Sequence, residues 1–233
     1  RPLEASVTTP VAAAGIPDLL NVGPQVFGIV YKSLDGGQTW QDISAGLPIG
    51  VETEGIYTLG GEVMLGAQDG LYRSRSSGAR WEQAQFLDGK ITNVIPGQSG
   101  LYACSYGLGL FRNVAGSDIW NPLSNTLPDK SVRTVLETAD GSILVGTDSG
   151  IYKSKDGGKS WKHVFNEGIV LDIVTSGDVL ISGGRQGVSR STDGGEHWDY
   201  VLNENILAKN TVFTGNHFVA ILGTEDATTV DPK

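Results

Sequence analysis

The sequence predicts an all-β protein, a β-propeller of four-stranded blades, and two observations carry that reading. The first is an octet that recurs five times, at residues 33–40, 74–81, 113–120, 154–161 and 191–198. The copy the others are compared with is Ser154-Lys155-Asp156-Gly157-Gly158-Lys159-Ser160-Trp161. All five tryptophans, Trp40, Trp81, Trp120, Trp161 and Trp198, close an octet, at steps of 41, 39, 41 and 37 residues. A period near 40 residues is the mark of a repeat array. The second observation is that short alternating strands with glycine turns fill the space between octets, as a blade requires.

Residues 1–17 are rich in Ala, Thr and Pro. They read as an N-terminal arm or a degenerate strand, with residues 18–233 as one propeller domain. The chain opens on Arg1 and not Met, which leaves room for a preceding leader. Residues 28–32 form the strand that enters the first octet. The unit from Val132 shows the blade plan best. Strand one covers 132–136, a turn at 139–141 leads to strand two at 142–146, and strand three covers 151–153. The octet then delivers strand four at 161–165. Matching units begin near Ile56, Ile91 and Val170. After Trp198 there are two more strands, near 210–213 and 217–222, and no octet. Pairing these with the N-terminal half-unit would give five blades, one shared by both ends, and would remove exposed sheet edges. If residues 6–27 supply two strands, the count becomes six blades with one incomplete.

Within the octet, Asp35, Asp156 and Asp193 are placed to accept hydrogen bonds from turn amides, and the glycine pair tolerates positive φ. The worn copies carry Ser76 and Ala115 in the acid position yet keep a glycine and the tryptophan. The shared property is therefore turn geometry plus an apolar face toward the neighbouring repeat, not carboxylate chemistry.

The octet resembles the Asp-box, or bacterial neuraminidase (BNR) repeat, Ser-x-Asp-x-Gly-x-Thr-Trp. The match is full at Ser33, Asp35, Gly37, Thr39 and Trp40, and near-full at 154–161 and 191–198. This resemblance, to propellers of the sialidase, sortilin and photosystem II assembly factor type, implies a structural turn at the blade periphery. It does not imply an activity. Sialidases need an arginine triad and an early Arg-Ile-Pro element; the sequence lacks that element, and Arg1 is its only early arginine. Arg73, Arg112 and Arg190 stand in register with Lys32 and Lys153 just before octets, and read as a solvated row with packed stems.

Net charge of −9 argues against nucleic acid as a partner. No apolar run is long enough to span a membrane, for which about 18 residues are needed. The single cysteine, Cys104, reads as a buried thiol. His163, His197 and His217 lack ligand spacing, so no metal is expected, and no cofactor motif occurs. The loop acids Glu52, Glu54, Asp69, Asp88, Asp129, Asp148, Glu167, Glu204 and Glu225 show no evident catalytic pair.

These features point to a non-catalytic monomeric binding propeller, exported to the periplasm, cell surface or medium, that takes a protein or carbohydrate ligand over the channel mouth. The alternative is an exported glycosidase. The expected ligand contacts are Asn93, Thr134 and Asp172 from a polar column that also holds Tyr57 and Thr211, together with the charged Arg133 and the loop aromatic Tyr106. The adjacent column, Thr58, Val94, Val135, Ile173 and Val212, is expected to pack between blades.

Overall fold

The structure, a computed structural model, describes residues 28–223 except 60, 85, 86, 88, 115, 116 and 203–205. The N-terminal arm, the candidate strands in 6–27 and the loop acids Asp88, Glu204 and Glu225 lie outside the described residues.

The fold is an all-β propeller. The first blade is β3 (Thr53–Leu59), β4 (Glu62–Ala67), β5 (Gly70–Ser74) and β6 (Glu82–Gln83). The second is β7 (Ile91–Gly97), β8 (Gly100–Ser105), β9 (Gly109–Asn113) and β10 (Trp120–Pro122). The third is β11 (Val132–Glu137), β12 (Ile143–Thr147), β13 (Gly150–Ser154) and β14 (Lys162–Phe165). The fourth is β15 (Val170–Ser176), β16 (Val179–Gly184), β17 (Gly187–Ser191) and β18 (Asp199–Leu202). Each is an antiparallel meander. The ends add β1 (Tyr31–Lys32) with β2 (Gln41–Asp42), and β19 (Leu207–Phe213) with β20 (Phe218–Gly223). These are an outer pair and an inner pair, the complement of one further blade, and each stands as a separate two-stranded sheet.

The inner strands β3, β7, β11, β15 and β19 pack in series, and the core lies between blades. Tyr102, Cys104 and Leu110 of the second blade meet Val132, Val135, Ile143 and Val145 of the third. Leu144 and Ile151 of the third meet Val170, Ile173 and Trp198 of the fourth. Each such side chain contributes about 1.5–3 kcal/mol on burial.

The octets form one repeated turn. Ser154 Oγ accepts from Gly158 N (2.8 Å) and donates to Asp156 Oδ1 (2.8 Å), which in turn accepts from Ser160 N (2.9 Å). The worn copies preserve this closure with other atoms. Ser76 Oγ accepts Arg80 N at 3.0 Å where an Asp oxygen would, and Asn113 Nδ2 donates to the carbonyls of Ser117 and Ile119. Gly158 is at φ +90°, and a Cβ there would sit 2.9 Å from Leu123 Cβ of the preceding blade. Both the left-handed backbone and the close approach therefore require glycine.

Trp81, Trp120 and Trp198 are buried, and the Trp81 and Trp161 indoles donate to Ile43 O and Leu123 O of the preceding unit (2.7 and 3.2 Å). Trp40 departs from the expected packing and is 62% exposed. It belongs to the terminal outer pair, whose ladder stops at two strands.

Two expectations need correction. The basic residues before the octets form a solvated row only in part: Arg190 is exposed as expected, whereas three others reach into the neighbouring blade. Lys32 Nζ reaches Ser77 O (3.2 Å), Arg73 Nη1 reaches Ser117 O (3.3 Å) and Lys153 Nζ reaches Gly194 O (2.8 Å), each in the next blade's turn. The octet holds these carbonyls facing the crevice, where they draw in the cation. The second correction concerns register. Every inner strand slips by one residue near its start, between Thr53 and Gly55, Ile91 and Asn93, Val132 and Thr134, Val170 and Asp172, and Ala208 and Asn210. The position shared by Asn93, Thr134 and Asp172 is therefore filled in the outer units by Gly55 and Asn210, not Tyr57 and Thr211. Val94, Val135 and Ile173 are buried as expected, while Thr58 and Val212 stay exposed.

Candidate binding face

The slips extrude one residue per inner strand, Glu54, Thr92, Arg133, Leu171 and Lys209, at the end of the blades where β4–β5, β8–β9, β12–β13 and β16–β17 are joined. The first residues of those joining turns are Gln68, Tyr106, Asp148 and Arg185. A bulge aims a side chain out of the ladder, so this end acquires paired polar groups by construction. Gln68 Nε2 donates to Glu54 Oε1 (2.6 Å), and Lys90 Nζ lies 2.8 Å from the same oxygen. Thr92 Oγ1 points inward, donating to Cys104 O and to Val132 O of the next blade (3.2 and 3.1 Å).

The densest group joins the second and third blades. Tyr106 OH donates to Asp148 Oδ2 (2.9 Å), and Arg133 Nε donates to Asp148 Oδ1. The Arg133 guanidinium carbon stands 5.2 Å from the Tyr106 ring centroid, a cation–π distance. Backbone hydrogen bonds from Tyr106 N to Lys90 O (2.9 Å) and from Gly107 N to Lys130 O (3.0 Å) fix the loop. Its left-handed Gly107 (φ +98°) and Gly109 (φ +94°) leave Tyr106 and Leu108 each 43% exposed. Asp129 closes the base of the group, accepting from Ser131 N (2.8 Å) and from Ser149 N and Oγ (2.9 and 2.7 Å). Burial acts to raise the Asp129 carboxyl, and these hydrogen bonds more than offset it, holding it below its ordinary value. Partial burial lowers the Lys130 ammonium. The result is an exposed aromatic and aliphatic pair framed by a guanidinium, an ammonium and carboxylates.

The structure thus brings Tyr106 and Arg133 together and adds Asp148, which sequence had named only among loop acids. The other candidates sit deeper. Asp172 Oδ2 accepts from Thr211 N (2.8 Å), Thr211 Oγ1 (3.2 Å) and Asn210 Nδ2 (3.4 Å). Thr134 is buried with its methyl over Gly146, and Asn93 lies against Gly55 of the preceding blade. These three line none of the cavities described for the surface.

A glycosidase needs two carboxyls in one pocket, one with a raised pKa. An apolar cavity of about 340 Å³ beside Ile29, Leu47 and Ile49 has Asp42 as its single carboxylate, and in the cavity of about 250 Å³ that holds both Glu82 and Asp118 the two are paired with Arg73 and Arg75. Among the described residues, every carboxyl whose pKa departs from its ordinary value is held low. Among the same residues, no three His, Cys, Asp or Glu side chains gather as a metal site would require. No helix there is long and apolar enough to cross a membrane.

The fold and its paired loops define the class: a β-propeller with a polar, aromatic-bearing end. The extracellular domain of BT4673 from B. thetaiotaomicron superposes with a TM-score of 0.66 at 14% identity, covering 79% of this chain and 27% of that one. YCF48 from Cyanidioschyzon merolae gives 0.61 at 16%, covering 82% and 73%. An ancestral GH74 enzyme gives 0.56 at 20%, covering 76% and 26%. The chain thus spans about a quarter of the BT4673 domain and of the GH74 enzyme, and at these identities the likeness is one of fold. No family model matches the sequence, and no curated protein does.

Proposed function

We propose that this chain is an exported, non-catalytic binding propeller of the Asp-box type. Residues 18–233 form its one domain, and it acts as a monomer that holds a protein or glycan over the channel mouth. The observation that supports this reading is the Tyr106–Arg133–Asp148 group, in which an exposed ring is held by a hydrogen bond to Asp148 and a cation–π contact with Arg133 beside the exposed Leu108. Rigid aromatic anchors framed by adaptable polar groups are what recognition surfaces use. The octets, whose turns close on themselves, support the Asp-box assignment and leave this opposite end free for ligand. The likeness to an extracellular domain supports export.

The test is a glycan array together with pull-down by immobilised protein, run beside Tyr106→Ala and Arg133→Ala. Binding that falls about tenfold or more in both variants supports the assignment, since losing an anchor of this kind costs about 1–2 kcal/mol or more. The alternative, a glycosidase, makes a contrary claim: robust turnover of a chromogenic glycoside by the pure protein would overturn the binding reading.

A further inference from the structure

Two crevices on the octet side of the molecule share one construction and differ in charge balance. Between the first and second blades, Arg73 and Arg75 face Glu62, Glu82 and Asp118. Both Arg73 Nη2 contacts to Glu62 are hydrogen bonds (2.8 and 2.7 Å), and with Arg80 Nε 3.4 Å from Glu82 the guanidiniums and carboxylates balance. Between the third and fourth blades, Lys153, Lys155 and Lys162 converge on one carboxylate, Glu196, at 2.8, 2.7 and 2.8 Å.

Strand register explains the difference. Val63 pairs Ser74 as Ile143 pairs Ser154, so Ser142 stands where Glu62 does. Lys162 follows Trp161 as Glu82 follows Trp81, and Glu196 matches Asp118. Two acidic positions of one crevice are thus neutral and basic in the other. Asp140, in the adjacent turn, is the one other carboxylate that acts on Lys155, and its oxygens are taken by Thr138 and Ser142.

Three ammoniums around one carboxylate repel one another and leave donors free. Lys153 is 4% exposed and gives two N–H groups, to Gly194 O and Glu196. Lys155 and Lys162, 68% and 65% exposed, each give one N–H to Glu196, and an ammonium has three. Their remaining N–H groups border a cavity of about 340 Å³ that Ser160 and Trp161 complete.

We propose that this crevice binds a tetrahedral oxyanion ester, a sulfate or phosphate monoester. The oxyanion bridges Lys155 and Lys162, and its organic carrier lies along Trp161. The net charge of −9 over the whole chain opposes a long polyanion, so a single ester is the fitting ligand.

The test is calorimetric titration at low ionic strength with glucose 6-sulfate, glucose 6-phosphate, inorganic sulfate and glucose. Both esters are expected to bind and glucose is not, with affinity falling as salt rises. The tighter ester identifies the source. The Lys155→Gln/Lys162→Gln double variant changes two exposed side chains and should keep its unfolding midpoint while losing about tenfold or more in affinity. Glu196→Gln, which removes the built-in competing anion, should tighten binding. Failure of both esters to bind, equal binding of glucose, or unchanged affinity in the double variant would overturn the site.

Discussion

The Asp172 carboxylate of β15 accepts the backbone N–H of Thr211 on β19 at 2.8 Å, tying the inner strand of one blade to that of the next. Thr211 is 2% exposed, so its N–H has little access to water when the carboxylate is gone. Asp172→Ala is expected to destabilise by about 1–3 kcal/mol, the cost of leaving a buried donor unmatched. Asp172→Asn keeps an acceptor oxygen and should fall between. Urea midpoints at unchanged slope measure this, and an Ala variant as stable as wild type would show the link to be dispensable.

The tryptophans should differ sharply in weight. Trp161 is packed on the cluster of Leu123, Val135 and Tyr152 and donates to Leu123 O. Trp161→Ala is expected to cost about 3–5 kcal/mol. Trp40 is 62% exposed, and Trp40→Ala should stay within about 1 kcal/mol. Equal losses at the two positions would contradict this placement of the terminal outer pair.

The octet aspartates predict an acid limit on stability. The Ser160 hydroxyl, then its backbone N–H, pull the Asp156 carboxyl down to about 2, and Thr39 does the same to Asp35. An unfolded Asp titrates near 3.9. A lowered folded value contributes stability that is complete above that pH and is lost as pH falls through about 2. Melting temperature should therefore drop between about pH 4 and 2. The deficit of Asp156→Asn relative to wild type should shrink over the same range. A deficit independent of pH would mean the carboxylate charge contributes nothing.

Cys104 is fully buried in the seam between the second and third blades, and burial pushes its thiol well up. Thiolate is the reactive form. The native protein is expected to resist a thiol-titrating disulfide reagent and to react fully once unfolded in denaturant. Rapid reaction of the native state would show that this seam opens.

The sequence by itself determined the repeat, the blade plan and the octet turn, because those features are local. Ser154, Asp156, Gly158 and Ser160 satisfy one another within seven residues, so their spacing alone specifies the turn. Burial of Val94, Val135 and Ile173 was legible from strand alternation for the same reason. Only the tertiary structure decided what meets across a seam, since those partners lie about 40 residues apart and depend on strand register. Strand pairing puts Gly55 and Asn210, not Tyr57 and Thr211, in the column of Asp172, and the one-residue slip marks that position in each inner strand. It also extruded Arg133 toward Asp148 and Tyr106, and no periodicity in the chain announces a bulge. The Lys153–Glu196 contact has the same origin: the basic residue was visible in register, but the turn carbonyl and carboxylate that bury it belong to the next blade.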